Sequence, residues 1–167
     1  MLQLRLLGAP LIADDGREIF VPAHKAQALL FYLAAEAGRS FSRSQLIALL
    51  WEHSSEREGR NSLSTVLTRL RQAMPLFPVR IEGDTLAWQP ASNVWLDLPD
   101  FAAPLPQLAA ASSSAGVNDS IRRLEGIAEL YRGAFLEGFS IRDSESYTEW
   151  LRLERELAAD ERVLSAG

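Results

Sequence analysis

The sequence predicts an α+β chain: a short N-terminal antiparallel sheet, three helices and a β-hairpin, then an α-helical segment. Three observations predict it. Apolar residues recur at the helical period in three successive stretches between Ala26 and Met74. Short apolar runs broken by turn residues lie on either side of those stretches. After "NVWLDLPDF" the composition turns to Ala, Ser and Pro, and helical periodicity then returns.

The strand-like runs "LQLRLLG", "PLIA" and "REIFVP", separated by a Gly-Ala-Pro break and the turn "ADDG", place a sheet over roughly residues 2–21. In "AHKAQALLFYLAAEAGRS", Ala26, Leu29, Leu30, Leu33, Ala34 and Ala37 form a helical stripe, and Gly38 is a natural stop. Ser42 and Gln45 have the spacing of a capping box, and Leu46, Leu49 and Leu50 follow as the apolar stripe of a second helix. "HSSEREG" breaks that pattern, so the third helix is expected over Arg60–Met74. "FPVRIEGDTLAWQP" reads as a hairpin turning at Gly83-Asp84 in a two-residue loop of the II′ sort.

Residues 102–118 are uncharged and rich in Ala, Ser and Pro, and are read as a partly ordered connection. Helical patterns are expected over Ser120–Gly133, with Ile121, Leu124, Ala128 and Tyr131, and over Tyr147–Leu164, with Trp150, Leu153, Leu157 and Leu164. A domain boundary is placed between residues 98 and 99.

Composition narrows the function classes. The chain has no cysteine, which excludes disulfides and the usual structural zinc sites. Its start lacks the basic and apolar regions of a signal peptide, and no stretch is apolar for long enough to span a membrane, so a cytoplasmic protein is expected. No catalytic motif, P-loop or Gly-rich dinucleotide turn is present, and His24 and His53 stand isolated. Neither catalysis, a metal nor a cofactor is therefore expected.

Charge is distributed unevenly. Residues 1–98 hold 10 basic and 10 acidic side chains, whereas residues 99–167 hold 7 and 12. Between Arg39 and Ile81 there are seven Arg against three Glu, and the 23 residues from Gly59 to Ile81 contain no acid at all. On a helical wheel Leu63, Val66, Leu67, Leu70 and Met74 share an arc of roughly 100°. Asn61, Thr65, Thr68 and Gln72 stand opposite, with Arg71 and Ser64 on one flank and Arg69 on the other. Ser, Thr and Asn are mediocre helix formers, but they suit a helix seated in a major groove. There Asn pairs with adenine, a Thr methyl meets thymine, and Arg reaches guanine or phosphate.

The segments "KAQALLFYLAAEAGRSFSRSQLIALLW" (Lys25–Trp51) and "RNSLSTVLTRLRQAM" (Arg60–Met74) resemble the OmpR-type winged helix-turn-helix of SARP-type (antibiotic regulatory protein) activators. "LYRGAFLEGF" and "WLRLERELA" are similar to the start of that family's bacterial transcriptional activation domain, a TPR-like helical array. The resemblance implies residues 1–98 as the DNA-binding domain and residues 99–167 as the start of the activation domain. Because members continue through further helices, a longer protein is expected. Arg60–Met74 becomes the recognition helix, presenting Arg60, Asn61, Ser64, Thr65, Thr68, Arg69 and Arg71 to double-stranded operator DNA. Arg43 matches a phosphate-contacting position at the start of the second helix, where backbone N–H groups are also expected to point outward. Arg80 and Thr85 fall on the wing, whose Glu82 and Asp84 are unusual for a DNA-facing hairpin. RNA polymerase and a second protomer on direct repeats are the implied protein partners. The alternative is a protein–protein interaction module with no direct DNA binding.

Overall fold

The structure, a computed structural model, describes residues 1–74, 76–89, 94–97 and 132–166. It begins with strands β1 (Leu2–Arg5), β2 (Leu11–Asp14) and β3 (Arg17–Glu18), followed by helix α1 (His24–Ala35). Strand β4 (Ser40–Ser42) leads into α2 (Arg43–Leu50) and α3 (Glu56–Ala73). A hairpin of β5 (Val79–Glu82) and β6 (Thr85–Trp88), strand β7 (Val94–Leu96) and helix α4 (Glu145–Ala166) complete the described elements. The connection 102–118 and residues 120–131 of the expected helix Ser120–Gly133 lie outside the described residues.

The strands form two sheets, one of order β3-β2-β1-β7 and one of order β4-β6-β5. The hairpin turns as its sequence predicts: Gly83 has φ +57 and Asp84 is not among the positive-φ residues, the pattern of a II′ turn. Strand β4 was not expected. It comprises three residues, too few for an alternation to register, and it exists because Ser40, Phe41 and Ser42 pair with Ala87, Leu86 and Thr85. The wing is thus three-stranded.

Capping chemistry sets the helix starts. The Ser42 hydroxyl accepts from the Gln45 N–H at 3.1 Å and the Gln45 amide oxygen accepts from the Ser42 N–H at 2.8 Å, the predicted capping box. The start of α3 corrects the sequence expectation. Ser55 caps it by accepting from the Glu58 N–H at 3.2 Å, so "EREG" belongs to the helix rather than breaking it. Glu56 and Glu58 suit a first turn because carboxylates there complement the helix dipole. A carboxylate-free α3 therefore holds only from Gly59 onward.

The described residues group into two compact units that interleave along the chain. One comprises Met1–Gln3, Ile12–Trp95 and Ser140–Trp150. Its core is built from Leu29, Leu30 and Leu33 of α1, Leu46, Ile47 and Leu50 of α2, Leu63, Val66, Leu67 and Leu70 of α3, and Leu86 and Trp88 of the hairpin. Ile47 takes the buried place expected for Leu49, and Ala37, expected on the α1 stripe, lies exposed beyond the helix end. Segment Ser140–Trp150 is fastened into this unit. Ser144 Oγ donates to the Leu50 carbonyl at 2.6 Å, and fully buried Tyr147 donates its phenol hydroxyl to the Ala28 carbonyl at 2.9 Å. The Glu52 carboxylate accepts from the Glu145 and Ser146 N–H groups, which closes the N-terminus of α4. Desolvation pushes Glu52 up, but these bonds, a further one from the Ser146 hydroxyl and the nearby His53 together outweigh it and leave the carboxyl below its ordinary value.

The second unit comprises Leu4–Leu11, Leu96–Phe139 and Leu151–Gly167. Fully buried Asp97 accepts from the Leu6 and Leu7 N–H groups at 3.0 Å. Burial pushes its carboxyl above the ordinary range, although these two N–H bonds and Arg132 pull it down. The Arg155 guanidinium donates to the carbonyls of Phe135, Leu136 and Phe139 at 2.9–3.0 Å. In α4 the apolar period finds the helix but not its buried face. Tyr147, Leu151 and Ala158 are buried, whereas Leu153 and Leu157, expected on that face, are 47% and 56% exposed.

Gly59 lets α3 close on α2, since a Cβ there would overlap Ile47 Cγ2, a branched methyl with little freedom. Gly59→Ala is expected to destabilise the chain by up to about 2 kcal/mol net. Overpacking costs about 1–3 kcal/mol, and the better helix propensity of Ala returns about 1 kcal/mol. Urea unfolding checks this, and a stabilised variant would show that α2 and α3 can part without cost.

Candidate nucleic-acid interface

Helix α3 is the centre of the site. Its buried stripe packs on α1 and α2, which leaves Arg60, Asn61, Ser64, Thr65, Thr68, Arg69, Arg71 and Gln72 exposed together. The Thr65 hydroxyl donates to the Asn61 carbonyl and the Thr68 hydroxyl to the Ser64 carbonyl, both at 3.0 Å. With their protons spent inside the helix, both threonines present a methyl and acceptor lone pairs outward. Such groups can meet a thymine methyl or accept from a base amine.

The cations around this face are held in different ways. Arg71 lies over the Phe77 ring at 5.2 Å, beyond the C-terminal end of α3. Arg60 bridges Glu56 at 3.3 Å and Asp84 at 3.5 Å, tying the first half of α3 to the hairpin turn. On the wing, Arg80 pairs with Glu82 at 2.9 Å and Thr85 Oγ1 donates to the Glu82 carbonyl at 2.9 Å. The acids of the wing, a departure from a DNA-facing pattern in the sequence, thus serve as counter-ions to Arg60 and Arg80. Exposed pairs of this kind are worth about 0–1 kcal/mol, so exchanging a carboxylate for a phosphate costs these arginines little.

Arg43 opens α2, as expected, and is half-buried, but two of the backbone N–H groups there are already bonded. Its own N–H donates to the Asp84 carbonyl at 2.9 Å, and the Gln45 N–H is taken by Ser42. The Arg43 guanidinium remains able to serve a phosphate. Trp51 and Trp88 are buried in the core.

Along the Arg69 flank, α3 borders a groove of about 610 Å³. Asn61, Thr65 and Arg69 form one wall, and His24, Lys25, Trp51 and the segment Ile141–Asp143 form the other. Sequence reasoning missed the second wall. Arg142 lies 73 positions beyond Arg69, and nothing in its local sequence signals the meeting. Lys25 Nζ donates to the Leu50 carbonyl at 2.5 Å and lies 5.4 Å from the centre of the Trp51 ring. Burial holds it below the ordinary lysine value, with Asp143 and Glu52 opposing. Among the described residues no group of three or more His, Asp or Glu side chains could hold a metal ion, and no helix is long and apolar enough to cross a membrane.

Residues 18–82 match the family described as transcriptional regulatory protein, C terminal. No curated protein matches the chain. Among solved structures the chain is similar to Mycobacterium tuberculosis EmbR in complex with a low-affinity phosphopeptide. The TM-score is 0.80 and the identity 20%, and the match covers 99% of this chain. It spans 43% of that protein's chain, so this sequence corresponds to under half its length. At that identity the likeness shows a shared winged-helix fold.

Proposed function

We propose that this chain, a transcriptional regulator with a winged-helix domain of the transcriptional regulatory C-terminal family over residues 18–82, binds double-stranded operator DNA in a sequence-specific manner through α3. The observation that carries the reading is the exposed α3 face, where short neutral hydrogen-bonding side chains stand between arginines and no carboxylate follows Glu58. A carboxylate on such a face would be desolvated against phosphates. Asn61, Thr65 and Thr68 read base edges, and Ser64 lies beside them. Arg69, Arg71 and Arg43 neutralise phosphates, and Arg60, Arg80 and Thr85 border the duplex at the wing. The helical segment 99–167 contacts RNA polymerase or a second protomer on direct repeats. This is supported by the resemblance of Leu130–Phe139 and Trp150–Ala158 to an activation domain. The action is that of a cytoplasmic activator with no catalytic step.

The test uses operator selection from a random duplex pool. Once a preferred site is in hand, Asn61→Ala is expected to lose about 1–3 kcal/mol on that site and little on random duplex. Equal losses on both would remove Asn61 from base reading. A chain that enriches no sequence and binds no duplex at low salt would leave the winged helix to a protein partner.

A further inference from the structure

A helix with its side chains is about 10–12 Å across, and the major groove is about 12 Å wide. When a helix fills that groove, each flank therefore faces one of the two phosphate strands bordering it. On the Arg69 flank of α3 the surface dips into an open depression. This is the groove of about 610 Å³, with Arg69, Lys25 and Arg142 on its walls and Asp143 as the one acid among its lining residues.

The far wall is built to stay in place. Ile141 and Ser144 are 8% and 3% exposed, and Ser144 is bonded to the Leu50 carbonyl, the same oxygen that Lys25 holds. Between these anchors Asp143 takes a left-handed φ of +59, which turns the chain so that Arg142 and Asp143 stand exposed at the rim. Asp143 also raises the proton affinity of Lys25, so the acid helps to keep this half-buried ammonium charged.

We propose that this groove seats one strand of the sugar-phosphate backbone of the duplex read by α3, with Arg142 contacting phosphate from the wall opposite Arg69. The inference rests on the DNA-binding reading above and extends the DNA surface to Ile141–Asp143, far outside the 18–82 segment. Size alone would also admit a small ligand. The shared wall of Asn61, Thr65 and Arg69 and the excess of cations favour the strand.

The experiment is fluorescence anisotropy of the full chain on a mixed-sequence duplex, titrated with salt, for the unaltered chain, Arg142→Gln and Arg152→Gln. Arg152 is an exposed cation on α4 outside the groove and controls for the change in net charge. One phosphate contact contributes about 0.9 to the slope of log K against log salt. Arg142→Gln should therefore flatten the slope by about 0.9 and weaken binding about eightfold at about 0.1 M salt, with an unchanged melting temperature. Arg152→Gln should leave the slope as it is. Equal slopes for Arg142→Gln and the unaltered chain, or equal effects of the two variants, would overturn the groove assignment and leave α3 as the DNA surface. Absence of binding by the unaltered chain would overturn both readings.

Discussion

Replacing Arg69 and Arg71 together by alanine is expected to abolish most duplex affinity. Each guanidinium that neutralises a phosphate contributes about 0.9 to the salt slope, so the pair accounts for about 1.8 and about sixtyfold in affinity at about 0.1 M salt. The two stand on opposite flanks of α3, Arg69 on the groove wall and Arg71 above Phe77. On the proposed DNA-binding reading, losing both removes contacts to both strands. Fold stability should change little, because both side chains are exposed and the Arg71–Phe77 contact is worth only about 0.5–1 kcal/mol. Anisotropy against salt, paired with a thermal melt, separates the two effects. A double variant that keeps the unaltered slope would move the DNA surface off α3 altogether.

Tyr147→Ala is expected to cost about 3–5 kcal/mol, the range for removing a fully buried aromatic side chain. That is a large share of the 5–15 kcal/mol by which a domain is ordinarily stable. Tyr147 has no exposed surface and donates to the Ala28 carbonyl. Its ring lies 5.1 Å from that of Trp150, which stands 4.9 Å edge-on from Tyr32 and donates to Glu36 at 3.0 Å. The cavity would therefore open against α1, in the unit that carries α3. Tyr147→Phe keeps the ring and should lose only about 0.5–1.5 kcal/mol for the hydrogen bond. Urea unfolding orders the variants, and a Tyr147→Ala loss below about 1 kcal/mol would show that Ser140–Trp150 is not part of the winged-helix core. By the same reasoning, residues 1–98 alone should unfold more readily than the full chain, since they lack this aromatic cover.

Much of the fold was legible because local rules and tertiary packing agree there. The capping box at Ser42 and Gln45, the helical stripe of α3 and the turn at Gly83 each depend on residues within a few positions of one another. The outward face of α3 was legible for the same reason, since a helix with a buried stripe must expose the opposite residues. The sequence by itself therefore determined that α1, α2, α3 and the hairpin form, and which side chains of α3 beyond Gly59 meet solvent. Tertiary structure decided the rest, wherever a residue's role depends on a partner far along the chain. Ser40–Ser42 is a strand because β6 offers it a ladder, and Gly59 is required because Ile47 arrives against it. Leu153 and Leu157 have the helical period but lie outward, because what packs on Tyr147, Leu151 and Ala158 selects the buried face. Arg142 reaches the groove beside Arg69 only because Ser144 and Tyr147 are bonded to the ends and carbonyls of helices about a hundred residues earlier. Periodicity reports which residues share a face; only the long-range contacts determine what that face meets.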